Sequence, residues 1–207
     1  PEPAFVRLIT ALASADERRR VILSSGPSDR SAADRIAEAA RTALGPAHAD
    51  RVLPFGDVNL AELRALIDRS QLFVGGDTGP LHIAASSSTP IVGIYGPTLA
   101  ARSAPWRDAR LATESVQIDA LPCRPCEQRV CEPGDFRCLT GLEPATVIAA
   151  AERALGHGRH RGRTTDNAGR ATENTDNTGT ATENTDNTGA ATENTDNTEA
   201  ATENTAD

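Results

Sequence analysis

The 207-residue chain has no methionine and no lysine, and its aromatic residues amount to one tryptophan, one tyrosine and four phenylalanines. With every cation an arginine and alanine abundant, these gaps point to a GC-rich coding sequence and not to a functional demand. A second lack is more informative. No apolar run approaches the ~20 residues that a membrane-spanning helix needs, and no basic-then-apolar leader opens the chain. A soluble, cytoplasmic protein is therefore expected. Because the chain opens at Pro1 and holds no methionine, it is expected to be a piece of a longer protein. A third lack divides the sequence. Residues 161–207 contain no Val, Ile, Leu or aromatic residue, and repeat the unit ATENTDNTGT, ATENTDNTGA, ATENTDNTEA before a partial copy. Such a segment cannot bury enough apolar surface to offset its ordering entropy. A stacked solenoid is excluded by the same want of a core. Residues 1–160 are thus expected to form one domain, and residues 161–207 a disordered low-complexity tail.

The net charge of −8 is unevenly placed. Residues 1–160 carry 19 acids and 18 arginines, whereas the tail carries 10 acids and 3 arginines. A nearly balanced body beside an acidic tail makes no electrostatic case for nucleic acid. The GHGRHRGR junction, with His157 and His160, reads as a solvated connection.

Within the body, short apolar runs alternate with helical periodicity, the pattern of strands separated by helices around a parallel sheet. Strands are predicted over residues 20–25, 52–55, 71–75 and 91–95, with helices over 31–44, from about 60 to 70, and over 81–87. Gly45-Pro46 stops the first helix. Asn59-Leu60-Ala61-Glu62 is a capping-box pattern opening the second. Parallel strands need such crossovers, so an α/β, Rossmann-like doubly wound sheet is the expected architecture. Ligands of these sheets sit in the loops beyond the carboxyl ends of the strands, here residues 26–29, 75–82 and 96–98.

The stretch FVGGDTGPLH, residues 73–82, joins a strand to a helix through glycines. Gly75-Gly76 lets the backbone turn, and Pro80 suits a first helical turn. Thr78 or Gly79 becomes the cap, and the unpaired N–H groups of the helix start favour an anion. His82 falls in the first turn and can donate to the same anion. Asp77 would repel phosphate and makes better sense accepting from sugar hydroxyls. The plainer assignment, with Asp77 as a cap and His82 as a packed side chain, accounts for these ten residues equally well. The adjacent loop, Gly96-Pro97-Thr98, favours a site.

The run FVGGDTGPLHIAASSSTPIVGIYGPT, residues 73–98, resembles the signature of glycosyltransferase family 9, the heptosyltransferase family, with its D-T-G-x-x-H and P-x-V-x-x-x-G-P-T segments. The similarity extends from about Val21 to Leu155 and takes in the SGPSD turn, the NLAELRALIDRSQLFVGG lead-in and the C-x-x-C run before the final helix. It implies a GT-B enzyme, two Rossmann-like halves across a cleft, of which this chain resembles the C-terminal, donor-binding half. By that resemblance Asp77, Thr78, Gly79 and His82 line the sugar and pyrophosphate of a nucleotide-diphospho-sugar such as ADP-heptose. Gly96, Pro97 and Thr98 lie close by, and Asp29 or a neighbour contacts the nucleoside. The implied acceptor is a glycolipid, lipopolysaccharide or a related glycan, which brings the enzyme to the inner face of the cytoplasmic membrane as a peripheral protein. The resemblance implies no metal and no cofactor, in keeping with the want of a D-x-D motif in residues 1–160. It also implies inverting transfer, with the general base in the N-terminal half and no catalytic residue in this chain. A contrasting expectation is a non-catalytic nucleotide-sugar-binding module whose tail serves interactions.

Cys123, Cys126, Cys131 and Cys138, the only cysteines, form a C-x2-C-x4-C-x6-C cluster. Four thiols so close could hold zinc or an iron–sulfur cluster, or pair as disulfides; a structural clasp is expected, with zinc as a variant. Trp106 is expected to anchor its loop rather than stack on a base. Deleting residues 161–207 should leave the melting temperature nearly unchanged in a thermal scan, and a clear drop would show that the tail packs on the body.

Overall fold

The computed structural model describes residues 1–56, 58–126 and 130–170, with side chains through residue 157. The repeat units from residue 171 onward lie outside the described residues, as does the side chain of His160.

Seven helices and five strands run in the order α1 (Glu2–Ser14), β1 (Val21–Ser24), α2 (Arg30–Leu44), β2 (Val52–Phe55), α3 (Leu60–Asp68), β3 (Phe73–Gly76), α4 (Gly79–Ala85), β4 (Ile91–Tyr95), α5 (Ala100–Ser103), β5 (Thr113–Gln117), α6 (Arg137–Thr140) and α7 (Pro144–Arg170) among the described residues. Each expected strand and helix is present. Gly45 closes α2 at φ 76°, a conformation that suits glycine. Asn59 builds the anticipated capping box: its Oδ1 accepts from the Ala61 and Glu62 N–H groups at 3.0 Å, and its own N–H donates to Glu62 Oε2 at 2.9 Å. The backbone of α7 continues past residue 160 to Arg170.

All pairings are parallel. They form two ladders, β1-β2 and β3-β4-β5, where the sequence suggests one continuous sheet. The ladders share a core instead of a hydrogen-bonded edge, since Val21 of β1 packs against both the cluster beneath β4 and the cluster beside β2. Two of the elements beyond those expected pack against the core. Helix α1 buries Leu8, Ile9, Leu12 and Ala13. Strand β5, Thr-Glu-Ser-Val-Gln, buries only Val116.

Strand β4 organises the rest. Its alternating side chains serve opposite faces. Val92 and Ile94 join Leu8, Leu12, Val116 and the Val147, Ala150, Ala151 and Ala154 stripe of α7. Ile91 and Tyr95 join Leu63, Ile67, Leu81, Ala84 and Ala85 from α3 and α4. Helices therefore cover both faces of the β3-β4-β5 ladder, as in a doubly wound sheet. Arg19 ties the turn after α1 to α7 through a two-pronged pair with Glu152, 2.5 and 2.9 Å.

On the α3/α4 face, glycines make room for rings. Gly75 and Gly93 are register partners across β3 and β4. A Cβ at Gly93 would lie 2.8 Å from the Tyr95 ring, and one at Gly75 would lie 2.8 Å from the Phe73 ring. Positive φ among the described glycines occurs only at Gly45 and Gly134, so Gly75 is required by the ring folded over it and not by a turn. Overpacking of this kind costs about 1–3 kcal/mol.

Tyr95 is 1% exposed. Burial pushes its hydroxyl pKa above the ordinary value of 10.0, the Asp77 carboxylate adds to the rise, and a hydrogen bond with Ser115 opposes it. The folded state thus holds this proton more tightly than the unfolded chain. The associated stability is complete below the unfolded value near 10.0 and is lost as pH climbs through the raised folded value. Tyr95→Phe should accordingly flatten the fall of melting temperature above that pH in calorimetric scans; a fall as steep as that of the parent chain would exclude Tyr95 as its source.

Candidate functional site

The loops after β3 and β4 emerge side by side because those strands are neighbours in register. The Asp77 N–H donates to Ile94 O at 3.1 Å, extending the ladder by one residue and fixing the Asp77 backbone. Its side chain is only 12% exposed, and a carboxylate so far removed from water needs donors. Thr98 supplies one: its Oγ1 donates to Asp77 Oδ2 at 2.7 Å. His82 Nε2 lies 3.6 Å from Asp77 Oδ1, beyond hydrogen-bond length but close enough for attraction when the imidazole is protonated. His82 is 53% exposed and free to face a ligand.

Asp77, His82 and Thr98 are thus brought together as the sequence suggests. Asp77 does not cap α4. The cap is Thr78, which has extended backbone and makes no side-chain cap bond; its hydroxyl contacts Gly76 O at 3.4 Å. Thr78 and Gly79 are exposed, and a Cβ built on Gly79 would meet nothing within 4 Å. The space above the first turn of α4 is open. Pro97 is exposed and Gly96 buried, and a Cβ on Gly96 would come within 2.7 Å of Leu139. Gly96 therefore admits a side chain from α6 underneath the loop.

Asp29 stands apart from this group. It ends a short 3-10 turn after β1, is exposed, and makes no side-chain cap bond to α2. No hydrogen bond or ion pair among the described residues joins it to Asp77, Thr98 or His82. Near it, at the carboxyl end of β2, Pro54, Phe55, Val58 and Leu66 line an open cleft of about 520 Å³. Phe55 is 47% exposed there, an apolar wall that the loop motifs did not point to.

Trp106 corrects an expectation. It is 95% exposed and anchors nothing. The anchor is its neighbour: Arg107 Nη2 donates to Ser87 O at 3.1 Å and to Thr89 O at 3.0 Å. These contacts precede β4, so Trp106 lies at the opposite end of the strand from the 96–98 loop. The groove there, about 1150 Å³ and lined in part by Trp106, Arg107 and His157, is remote from the candidate site by the same topology. His157 is exposed and sits 2.9 Å from Arg153 O.

Cys123, Cys126, Cys131 and Cys138 are free and partly buried. Among the described residues no three His, Cys, Asp or Glu side chains are grouped to hold a metal ion. Burial raises the Cys138 pKa, and the Phe136 N–H points at Cys131 Sγ, 3.3 Å away. No described helix is long and apolar enough to cross a membrane.

Contacts that sequence reasoning did not anticipate hold the second loop from below. The Cys126 N–H donates to Pro97 O at 2.9 Å, Arg124 donates to Thr98 O, and the Ala100 N–H donates to Gln117 Oε1 at 3.1 Å. These partners are 17 to 29 residues from their targets, too far for any local pattern to disclose.

Known proteins resemble the chain over the same region. Lipooligosaccharide heptosyltransferase 2 of Campylobacter jejuni subsp. jejuni serotype O:2 is 34% identical over 84 residues, covering 41% of this chain and 25% of the relative. Lipopolysaccharide heptosyltransferase 3 of Escherichia coli is 33% identical over 137 residues, covering 65% of this chain and 37% of the relative. The chain therefore spans between a quarter and two fifths of these relatives' lengths. Two solved structures share its fold at 20% identity, each covering 75% of this chain and 41% of the solved chain. They are E. coli ADP-heptose lps heptosyltransferase II, with a TM-score of 0.58, and the family 9 glycosyl transferase from Veillonella parvula DSM 2008, with a TM-score of 0.57. The family model for glycosyltransferase family 9 (heptosyltransferase) matches residues 1–133, well over half the chain and inclusive of both loops, so the chain belongs to glycosyltransferase family 9.

Proposed function

We propose that this chain is the donor-binding half of a GT-B glycosyltransferase, which takes a sugar from a nucleotide-diphospho-sugar and passes it with inversion to a lipopolysaccharide or related glycolipid acceptor. The observation that carries this reading is the Thr98–Asp77 hydrogen bond, which joins the two signature loops into one polar cradle open to solvent.

The roles divide by charge. The departing diphosphate gathers negative charge as the bond to the anomeric carbon breaks, and fixed N–H donors aimed at it lower the barrier. His82 and the exposed N–H groups at Thr78 and Gly79 are suited to that work, in place of a metal ion. Asp77 serves the sugar. A carboxylate offers about four acceptor positions, and Thr98 occupies one, leaving others for sugar hydroxyls. Held by a hydroxyl donor and set beside the anion site, Asp77 is ill placed to deprotonate the acceptor, which attacks from the face opposite the diphosphate. The base is assigned to the N-terminal half of the enzyme. Asp29 and the cleft lined by Phe55 and Val58 would receive the nucleoside. An ADP-heptose-like donor and a peripheral position at the inner face of the cytoplasmic membrane belong to the same proposal.

Two measurements test it. Gly79→Leu places its side chain in open space, so the melting temperature should hold while calorimetric affinity for an ADP-sugar falls at least about tenfold; unchanged affinity would remove the 77–82 loop from the donor site. Asp77→Asn should weaken binding of the ADP-sugar by about tenfold and that of bare ADP much less. Equal losses for the two ligands would show that Asp77 does not touch the sugar.

A further inference from the structure

Arg124 lies between Cys123 and Cys126, and its guanidinium grips backbone from two separate loops. Nη1 donates to Ile118 O, just after β5. Nη2 donates to Thr98 O, after β4, and also to Gln117 Oε1 at 3.1 Å. The same Gln117 oxygen accepts the Ala100 N–H at 3.1 Å, while Gln117 Nε2 is held by Asp119 Oδ1 at 2.8 Å. Arginine alone presents donors on a rigid planar fork that can satisfy several carbonyls at once; a lysine ammonium is a point charge on a flexible stem. The Nε of Arg124 is buried without a hydrogen-bond partner. Its Nη1 and Nη2 donors are directed at the Ile118, Thr98 and Gln117 oxygens.

From this geometry we infer that Arg124 is a positioning residue for the donor cradle: it fixes the Thr98 backbone, and thereby the hydroxyl that Thr98 delivers to Asp77. The chain of contacts is continuous, from Arg124 to Thr98 O, from Thr98 Oγ1 to Asp77 Oδ2, and from Asp77 Oδ1 toward His82. Two neighbours brace the same loop. Cys126 N–H holds Pro97 O at 2.9 Å, and Leu139 fills the space below Gly96. The loop is held at Gly96, Pro97, Thr98 and Ala100, and the Thr98 hydroxyl is turned toward Asp77. Arg124 acts through Thr98 and does not itself contact the donor. The link from positioning to donor binding rests on the function proposed above; the link from Arg124 to the loop does not.

The test separates those links. In the 207-residue chain, Arg124→Gln should speed hydrogen exchange of the Ala100 and Cys126 amides by at least about tenfold, with the β4 amides and the melting temperature little changed. Arg124→Lys should restore only part of the protection. Exchange unchanged at Ala100 and Cys126, or raised equally throughout β4, would overturn the inference whatever the ligand does. Calorimetry with an ADP-sugar supplies the second arm. Arg124→Gln and Thr98→Val should each weaken binding about tenfold, and the double variant should lose no more than either, because both break one path. Losses that multiply would show that Arg124 does not act through Thr98. Loop release in the exchange data with no ADP-sugar bound by the parent chain would uphold Arg124 as the loop's fastener and overturn the donor reading instead.

Discussion

Everything at the candidate site depends on β4 being a central parallel strand buried on both faces. Its pairings with β3 and β5 leave it no free edge, and its side chains must satisfy α1 and α7 on one side and α3 and α4 on the other. Those demands set its register, and the register sets where both loops begin. A one-residue slip against β3 would move Gly93 off Gly75, turn the buried side chains of β4 to the wrong faces, and separate Thr98 from Asp77. The core and the site are therefore the same constraint seen from two ends of a strand.

At the carboxyl end of the ladder the chemistry is a balance between burial and charge. Asp77 is too enclosed to rely on water, so its carboxylate is held by Thr98 and faced by His82. That enclosure distinguishes it from an ordinary surface acid. Its partner on the outer side, His82, remains half exposed, and the Thr78–Gly79 start of α4 is left uncovered. A protected acceptor thus lies beside exposed donors, an arrangement that suits a ligand with hydroxyls at one end and phosphates at the other.

Beneath the second loop, the described residues between 117 and 142 act as a strap. The four cysteines lie along it, yet among the described residues they form no metal-binding group. What fastens the strap is polar and apolar contact: the arginine fork at Arg124, the Cys126 amide, and Leu139 against a glycine that must stay small. A site whose loop is held from below by remote residues can remain open above. Rigid support of this kind preorganises donors before a ligand arrives and reduces the ordering that binding would otherwise require.

Much of the fold was legible in the sequence, because hydrophobic period, turn residues and caps act over a few residues. The 52–55 and 91–95 runs, the Asn59 capping box and the Gly45 stop are local matters, and they stand where local physics puts them. The gathering of Asp77, His82 and Thr98 was also legible, since two signature loops follow neighbouring strands. Beyond that reach the sequence was silent or misleading. Strand β5 is too polar to announce itself, and it exists because β4 offers it a ladder. Trp106 looked like an anchor by its size, yet the hydrogen bonds belong to Arg107. Gly75 looked like a turn residue, although a ring two positions away is what requires it. The hold of Arg124 on Thr98 joins residues 26 apart. Such contacts are decided only when the sheet has closed and carbonyls from separate segments come to lie within one guanidinium's span.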